Sequence, residues 1–175
     1  MLENLNWGLL YGFFSFVAGI VSAGIALYLA PHWKNKSVRG LIYLMVAVSI
    51  WSLSYGMEFV SPNLILKLWW VRIEYLGAVW IGVFLLNFIL TISENKWQLN
   101  TTGYKLIGII PLTILILVFT NPYHHMMWRF AWLELSGKTP VLAYTRGVGF
   151  WMFVAFSYGL ILTSTLVLLH ALVTA

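Results

Sequence analysis

The chain has no cysteine and no aspartate, and only 9% of its 175 residues are charged. Without cysteine there is no disulfide, no thiolate metal ligand and no cysteine nucleophile. The five acidic residues are all glutamates, and neither a G-x-S-x-G, an H-E-x-x-H nor a phosphate-loop motif occurs. We therefore predict that the chain is not an enzyme and that it uses no metal and no cofactor. Ten basic residues without a basic stripe also argue against nucleic acid as a partner.

What the chain does contain is long apolar runs, since 61% of its residues are hydrophobic. Each run is long enough to cross a hydrocarbon core of about 30 Å as a helix, and none alternates like a barrel strand. We predict an all-α polytopic membrane helix bundle in the lipid bilayer with five transmembrane helices, near 7–30, 39–60, 64–92, 103–120 and 147–172.

Basic residues in the short loops predict the orientation of the bundle. The first loop carries Lys34, Lys36 and Arg39, whereas the six residues before the first span carry no Lys or Arg. The positive-inside rule therefore places the N-terminus outside and makes 121–146 an extracellular loop. Within that loop, "FAWLELSGKTPVLAY" indicates a small hairpin or lid over the bundle mouth. The missing basic start also predicts that the first helix is retained and is not a cleaved signal peptide.

Two glutamates lie inside predicted spans, Glu58 and Glu74. A carboxylate at such a position costs at least about 2.5 kcal/mol, so it usually faces the bundle interior and has a partner. Helical spacing puts Trp51 on the face of Glu58 and Lys67 on the face of Glu74. Glu58 either forms an ion pair with Lys67 or Arg72 or lines a pocket. Glu74 lies deeper, and an unpaired Glu74 would be protonated and donate a hydrogen bond into a pocket.

Aromatic residues allow two interpretations that depend on their position. Trp33, Trp97 and Trp128 lie near span ends, which is typical of the aromatic belt at the membrane surface. Tryptophans within the spans are expected to pack between helices. Alternatively, such rings together with one or two carboxylates would line a pocket for an apolar or cationic small ligand.

The stretch "TNPYHHMMWRF" contains adjacent histidines, His124 and His125. Neighbouring side chains on a helix point about 100° apart, so the pair is poorly placed to ligate one ion. His32 and His170 are expected at the opposite side of the membrane, which disfavours a haem or metal site. A hydrogen-bonded turn and a role in binding a ligand or responding to pH both stay open.

Four motifs in order resemble a known family: "WSLSYGMEF", "KLWWVRIEYLG", "TNPYHHMMW" and "GVGFWMFVAFSYG". Over about residues 7 to 165 they resemble the N-terminal seven-transmembrane sensor region of bacterial histidine kinases, of which this chain has five helices. The resemblance implies a membrane sensor with an extracellular N-terminus and a cytoplasmic kinase, cyclase or similar output. By motif position it implies a ligand-binding group formed by Trp51, Glu58, Glu74, Tyr75, Asn121, His124 and Trp128.

From these observations we expect one membrane-embedded, sensor-like domain over 1–175, in a bacterial or archaeal cell membrane. It would detect a small-molecule ligand or a membrane state and relay it to a cytoplasmic signalling domain or to a homodimer partner. The alternative is a transporter-like or structural membrane subunit that binds lipid or another membrane protein and uses these residues only for packing.

Overall fold

A computed structural model describes residues 7–93, 101–136 and 139–174. Six α-helices, a short 3-10 helix that continues the first of them (Ala30–His32) and two strands are found there, and we number the α-helices and the strands in chain order. The helices are α1 (Trp7–Leu29), α2 (Lys36–Val60), α3 (Leu64–Ile92), α4 (Thr101–Phe119), α5 (Asn121–His124) and α6 (Val148–Thr174). The strands β1 (Trp128–Ser136) and β2 (Thr139–Arg146) lie between α5 and α6.

The long helices form the expected polytopic membrane bundle. Four of them contain stretches that are long and apolar enough to cross a membrane, namely Leu10–His32, Lys36–Val60, Leu64–Ile92 and Val148–Thr174. The fifth predicted span corresponds to α4, whose apolar stretch Lys105–Phe119 is shorter. At 1.5 Å per residue the 19 residues of α4 extend over roughly 28 Å, close to the hydrocarbon thickness.

Short polar turns start α2 and α3. The side chain of Asn35 accepts a hydrogen bond from the backbone N–H of Ser37 at 2.9 Å, and Asn63 does the same for Leu66 at 2.9 Å. Each asparagine thereby satisfies an N–H that has no partner within its helix. The connection 61–63 between α2 and α3 is so short that the two helices must run antiparallel, side by side.

The helix α3 is the centre of the bundle. It packs against α2 on one side and against α6 and α4 on the other, and it also contacts β1, while α1 packs on the outer side of α2. α2 and α3 approach each other closely at Gly77. A β-carbon at this position would collide with the carbonyl oxygen of Ala47 and lie 2.8 Å from the backbone N of Trp51. Only a residue without a side chain fits there.

The segment 121–146, expected as an extracellular loop containing a hairpin, is mostly regular structure. β1 and β2 pair antiparallel, with Trp132 opposite Ala143 and Glu134 opposite Val141, and the register shifts between Trp128 and Ala131. The base of the hairpin rests on α3 and α4. The buried cluster there consists of Val71, Tyr75, Val79, Ile114, Val118, Met127 and Trp128. The hairpin is therefore a packed lid on the bundle.

One expectation about the aromatic belt is wrong. Trp128 is only 6% exposed and belongs to the buried cluster, because the hairpin folds it down onto α3. Trp33 is 42% exposed, as a belt residue would be, and its ring lies 5.2 Å from that of Tyr43. Trp97 lies outside the described residues.

We predict that Gly77→Ala separates α2 from α3, because the added methyl group meets backbone atoms that cannot rotate away. Overpacking of this kind costs about 1–3 kcal/mol. The thermal midpoint of the purified variant in detergent should therefore fall. Gly159→Ala in α6 is the matched control, since nothing lies within 4 Å of its added β-carbon. Equal midpoints for the two variants would contradict the close approach.

Candidate functional site

A fully buried lysine ties α3 to the end of α2. Lys67 is 0% exposed, and its Nζ lies 3.6 Å from Oε1 of Glu58. The same ammonium donates hydrogen bonds to the backbone carbonyls of Glu58 at 2.6 Å and Phe59 at 3.3 Å. These carbonyls belong to the last turn of α2, where a positive charge is favourable. The ion pair of Glu58 with Lys67, one of the two partners considered, is thus present.

The second glutamate inside the bundle has no such partner. Oε1 of Glu74 is buried and makes no hydrogen bond to any residue that the structure describes. Arg72 is two positions away on α3 and therefore points to a different side of the helix. Its guanidinium lies 5.0 Å from the centre of the Trp69 ring. Glu74 is consequently a partly buried side chain whose buried oxygen has no partner among the described residues.

A tyrosine of the hairpin completes the surroundings of Glu74. Burial raises the pKa of Tyr144, the nearby carboxyl group of Glu74 raises it further, Arg146 lowers it, and Glu58 raises it. The hydroxyl group of Tyr144 is thus neutral at physiological pH and can donate or accept a hydrogen bond. These electrostatic interactions also show that β2 lies within reach of both glutamates, although Tyr144 follows Glu74 by 70 residues and Glu58 by 86.

Tyr75 and Trp128 both belong to the buried cluster beneath the hairpin. The ring of Tyr75 packs edge-on against Phe153 of α6 at 5.1 Å, and the ring of Trp128 lies 6.3 Å from Tyr144. Two of the residues that the family resemblance implied are therefore packed between α3, α6 and the hairpin. Tyr75 directly follows Glu74 on α3, and Trp128 is linked to the surroundings of Glu74 through Tyr144.

The side chain of Asn121 stabilises the turn after α4. Its side chain is 1% exposed. Oδ1 accepts the backbone N–H groups of Met127 at 2.8 Å and Trp128 at 3.2 Å, and Nδ2 donates to the carbonyl of Trp128 at 2.9 Å. The amide thus pairs with the first residue of β1 as another strand would, and it holds Trp128 in its buried position.

His124 does not reach the carboxyl groups of α2 and α3. Its Nδ1 accepts the backbone N–H of Met126 at 3.0 Å, and its Nε2 lies 2.9 Å from Oγ1 of Thr120. Because Nδ1 accepts, Nε2 carries the proton and donates to Thr120, whose hydroxyl donates to the carbonyl of Ile116. His124 therefore orders the turn, and its side chain also lines a cleft at the base of the hairpin.

Trp51 lies in a third place, a groove of about 440 Å³ between α1 and α2. The side chain is 44% exposed. Tyr55, one turn further along α2, lines the same groove and lies within electrostatic range of both Glu58 and Glu74. The groove is otherwise lined by Tyr11, Phe14, Ser15, Ala18 and Ser52.

The structure thus distributes the seven implied residues over three locations. Glu58, Glu74, Tyr75 and Trp128 lie beneath the hairpin with Asn121 at its base, His124 lies at the outer cleft, and Trp51 lies in the groove. The sequence interpretation did not select Tyr144. The alternation of side chains along a strand could have identified this residue, because Tyr144 points to the same face of β2 as Leu142, which also packs on the buried cluster. In the part of the chain that the structure describes, no group of three or more histidine or acidic side chains is arranged to hold a metal ion.

We predict that Lys67→Met is strongly destabilising, because it leaves Glu58 buried without a partner and removes the cap on α2. Breaking a buried pair on one side costs about 3–5 kcal/mol. The double variant Glu58→Leu/Lys67→Met should recover part of this loss, since the unpaired charge is gone while the cap stays absent. Thermal unfolding in detergent measures both. Lys105→Met, at an exposed lysine of α4, is the control and should change little.

We also predict that Asn121→Ala lowers the free energy of unfolding by about 2 kcal/mol or more, because two buried N–H groups lose their acceptor. Asn63→Ala removes one helix cap and should cost about 1 kcal/mol. An Asn121→Ala protein as stable as the parent would show that the amide is dispensable for folding.

Comparison with known proteins agrees with these features. A family model described as the N-terminal 7TM region of histidine kinase matches residues 14–175. No curated protein and no solved structure matches the chain. The family is a sensor region and not the catalytic part of a kinase, and the apolar helices make the chain a multi-pass membrane protein. Because the match covers nearly all of the sequence, this chain belongs to the family of N-terminal seven-transmembrane regions of histidine kinases.

Proposed function

We propose that this membrane sensing module binds a small ligand at Glu74, beneath the hairpin, and relays its binding to a cytoplasmic output domain. The observation that carries the proposal is the buried, unpartnered oxygen of Glu74. Buried polar groups are nearly always hydrogen-bonded, and ionisable groups inside membranes are mostly functional. Its neighbour Glu58 is compensated by Lys67, so Glu74 is the one of the two carboxyl groups with a buried oxygen that lacks a partner.

The surroundings favour a ligand with a hydrogen-bond donor or a positive charge and an apolar body. An ammonium group beside Glu74 favours the ionised form of this carboxyl group, which then accepts the hydrogen bond, and the neutral hydroxyl of Tyr144 supplies a second polar group. Aromatic side chains such as Tyr75 and Trp128 suit an apolar or cationic body. A small aromatic or aliphatic amine has this combination of properties.

The groove between α1 and α2 offers such a ligand a route from the bilayer. Tyr11, Phe14 and Trp51 line it and are exposed towards the lipid. Tyr55 lines its wall and also lies within electrostatic range of Glu74. In this proposal Trp51 contacts the ligand on its way in, and Glu74 binds it at the end of the route.

Transmission of ligand binding to the output domain depends on α3, because Glu74 belongs to this helix and α3 contacts most of the bundle. A ligand that binds one arrangement of α3 and the hairpin better than another shifts the equilibrium between them. The hairpin is linked to α6 through Arg146, whose guanidinium lies 4.9 Å from the ring of Phe150. With the predicted orientation, both α3 and α6 lead from the ligand site to the cytoplasmic side.

We predict that 2-phenylethylamine raises the thermal midpoint of the protein in lipid nanodiscs, as any ligand of the folded state does. Glu74→Gln should weaken this binding at least about tenfold, because the amine loses its charged partner. Glu134→Gln, at an exposed glutamate of β1, is the matched control and should retain the full shift.

Phenylacetate, which carries a negative charge on a similar body, should give no shift. The proposal would be wrong if the amine failed to stabilise the parent protein or stabilised Glu74→Gln equally well.

A further inference from the structure

A second cleft lies on the outer surface of the hairpin base, away from Glu74. It has a volume of about 700 Å³ and is lined by His124, His125, Met126, Arg129, Phe130 and Val148. Arg129 and Phe130 are exposed, whereas the preceding residue Trp128 is buried under the hairpin. The cleft and the buried cluster that contains Trp128 therefore share no side chain.

Every ionisable side chain at the cleft is basic. The guanidinium group of Arg129 makes no hydrogen bond, ion pair or ring contact with any described residue. The imidazole of His125 likewise makes none. His124 has both ring nitrogens engaged, so it forms a wall of the cleft and is not a free donor. Arg129 and His125 thus present unused N–H donors towards a cleft without a carboxylate.

The backbone at His125 is strained for its residue type. It is the only non-glycine residue with a positive φ in the described chain, at 54°, and it ends α5 in the left-handed conformation. Glycine fits this position without cost, whereas other residues lose about 1–2 kcal/mol there. A histidine is therefore present where its side chain does not help the turn, and that side chain lines the cleft.

The rest of the lining is apolar and includes the start of a candidate membrane span. Phe130 is 72% exposed and Val148 is 59% exposed. Val148 is the first residue of the membrane-spanning α6, and the backbone N–H of Gly149 donates to the carbonyl of Met126 at 2.8 Å. This bond fixes the start of α6 against the turn, so the cleft lies at the hairpin-side end of that helix.

We infer that this cleft binds the anionic headgroup of a phospholipid in the leaflet on the hairpin side. Arg129 and His125 donate to the phosphate oxygens, and Phe130, Met126 and Val148 contact the glycerol and the first methylene groups. The acyl chains continue along α6. This inference does not depend on ligand binding at Glu74, since the two locations share no side chain.

The test measures binding of phosphatidylglycerol and of zwitterionic phosphatidylcholine to the detergent-purified protein by native mass spectrometry. The parent should retain phosphatidylglycerol preferentially. Arg129→Gln should weaken it about fivefold, the factor that corresponds to about 1 kcal/mol for one basic residue near a membrane surface. His125→Gly should weaken it while the thermal midpoint stays equal or rises, because glycine relieves the strained backbone.

Lys105→Gln removes one positive charge at an exposed position of α4 outside the cleft and should leave phosphatidylglycerol binding unchanged. An equal loss in Lys105→Gln and Arg129→Gln would overturn the inference, since it would reflect net charge alone. Glycerol 3-phosphate, which lacks acyl chains, should not compete at concentrations equal to the lipid. Effective competition would assign the cleft to a free phosphate ester and would overturn the lipid assignment.

Discussion

The buried ammonium of Lys67 is the interaction on which the hairpin-side end of the bundle depends. It closes the last turn of α2, neutralises Glu58 and fixes the first turns of α3 at the same time. A lysine at 0% exposure is tolerated because the polar contacts of its ammonium group are oxygens of the last turn of α2, the negative end of that helix. With Glu58 satisfied in this way, Glu74 is left as the distinctive carboxyl group beneath the lid.

Much of the bundle follows from the sequence alone. The apolar runs predict the positions of the long helices because hydrophobic length is set by the bilayer. The partner of Glu58 is also accessible to sequence reasoning, since Lys67 follows the short turn at 61–63 and helical spacing brings it back to α2. The hairpin is recognisable from two apolar pieces around a Ser-Gly-Lys-Thr-Pro turn.

The arrangement of the site is less predictable, because it depends on where the hairpin folds. Trp128 has the position of a belt residue in the sequence, yet the amide of Asn121 draws its backbone inwards and buries the ring. The motif "TNPYHH" brings Asn121 and His124 together in sequence, but α5 turns their side chains to different sides of the hairpin base. Residues that are close in a motif therefore serve two separate regions of the molecule.

The close contact at Gly77 restricts how the bundle can rearrange. Because the backbones of α2 and α3 touch there, a relative slide of these two helices would force Ala47 and Trp51 into the wider turns next to the glycine. Lys67 at one end and the contact at Gly77 in the middle therefore both hold α2 against α3. A rearrangement of the bundle would therefore involve another helix interface. The interface between α3 and α6 includes Ser157, whose buried hydroxyl group has no hydrogen-bond partner among the described residues.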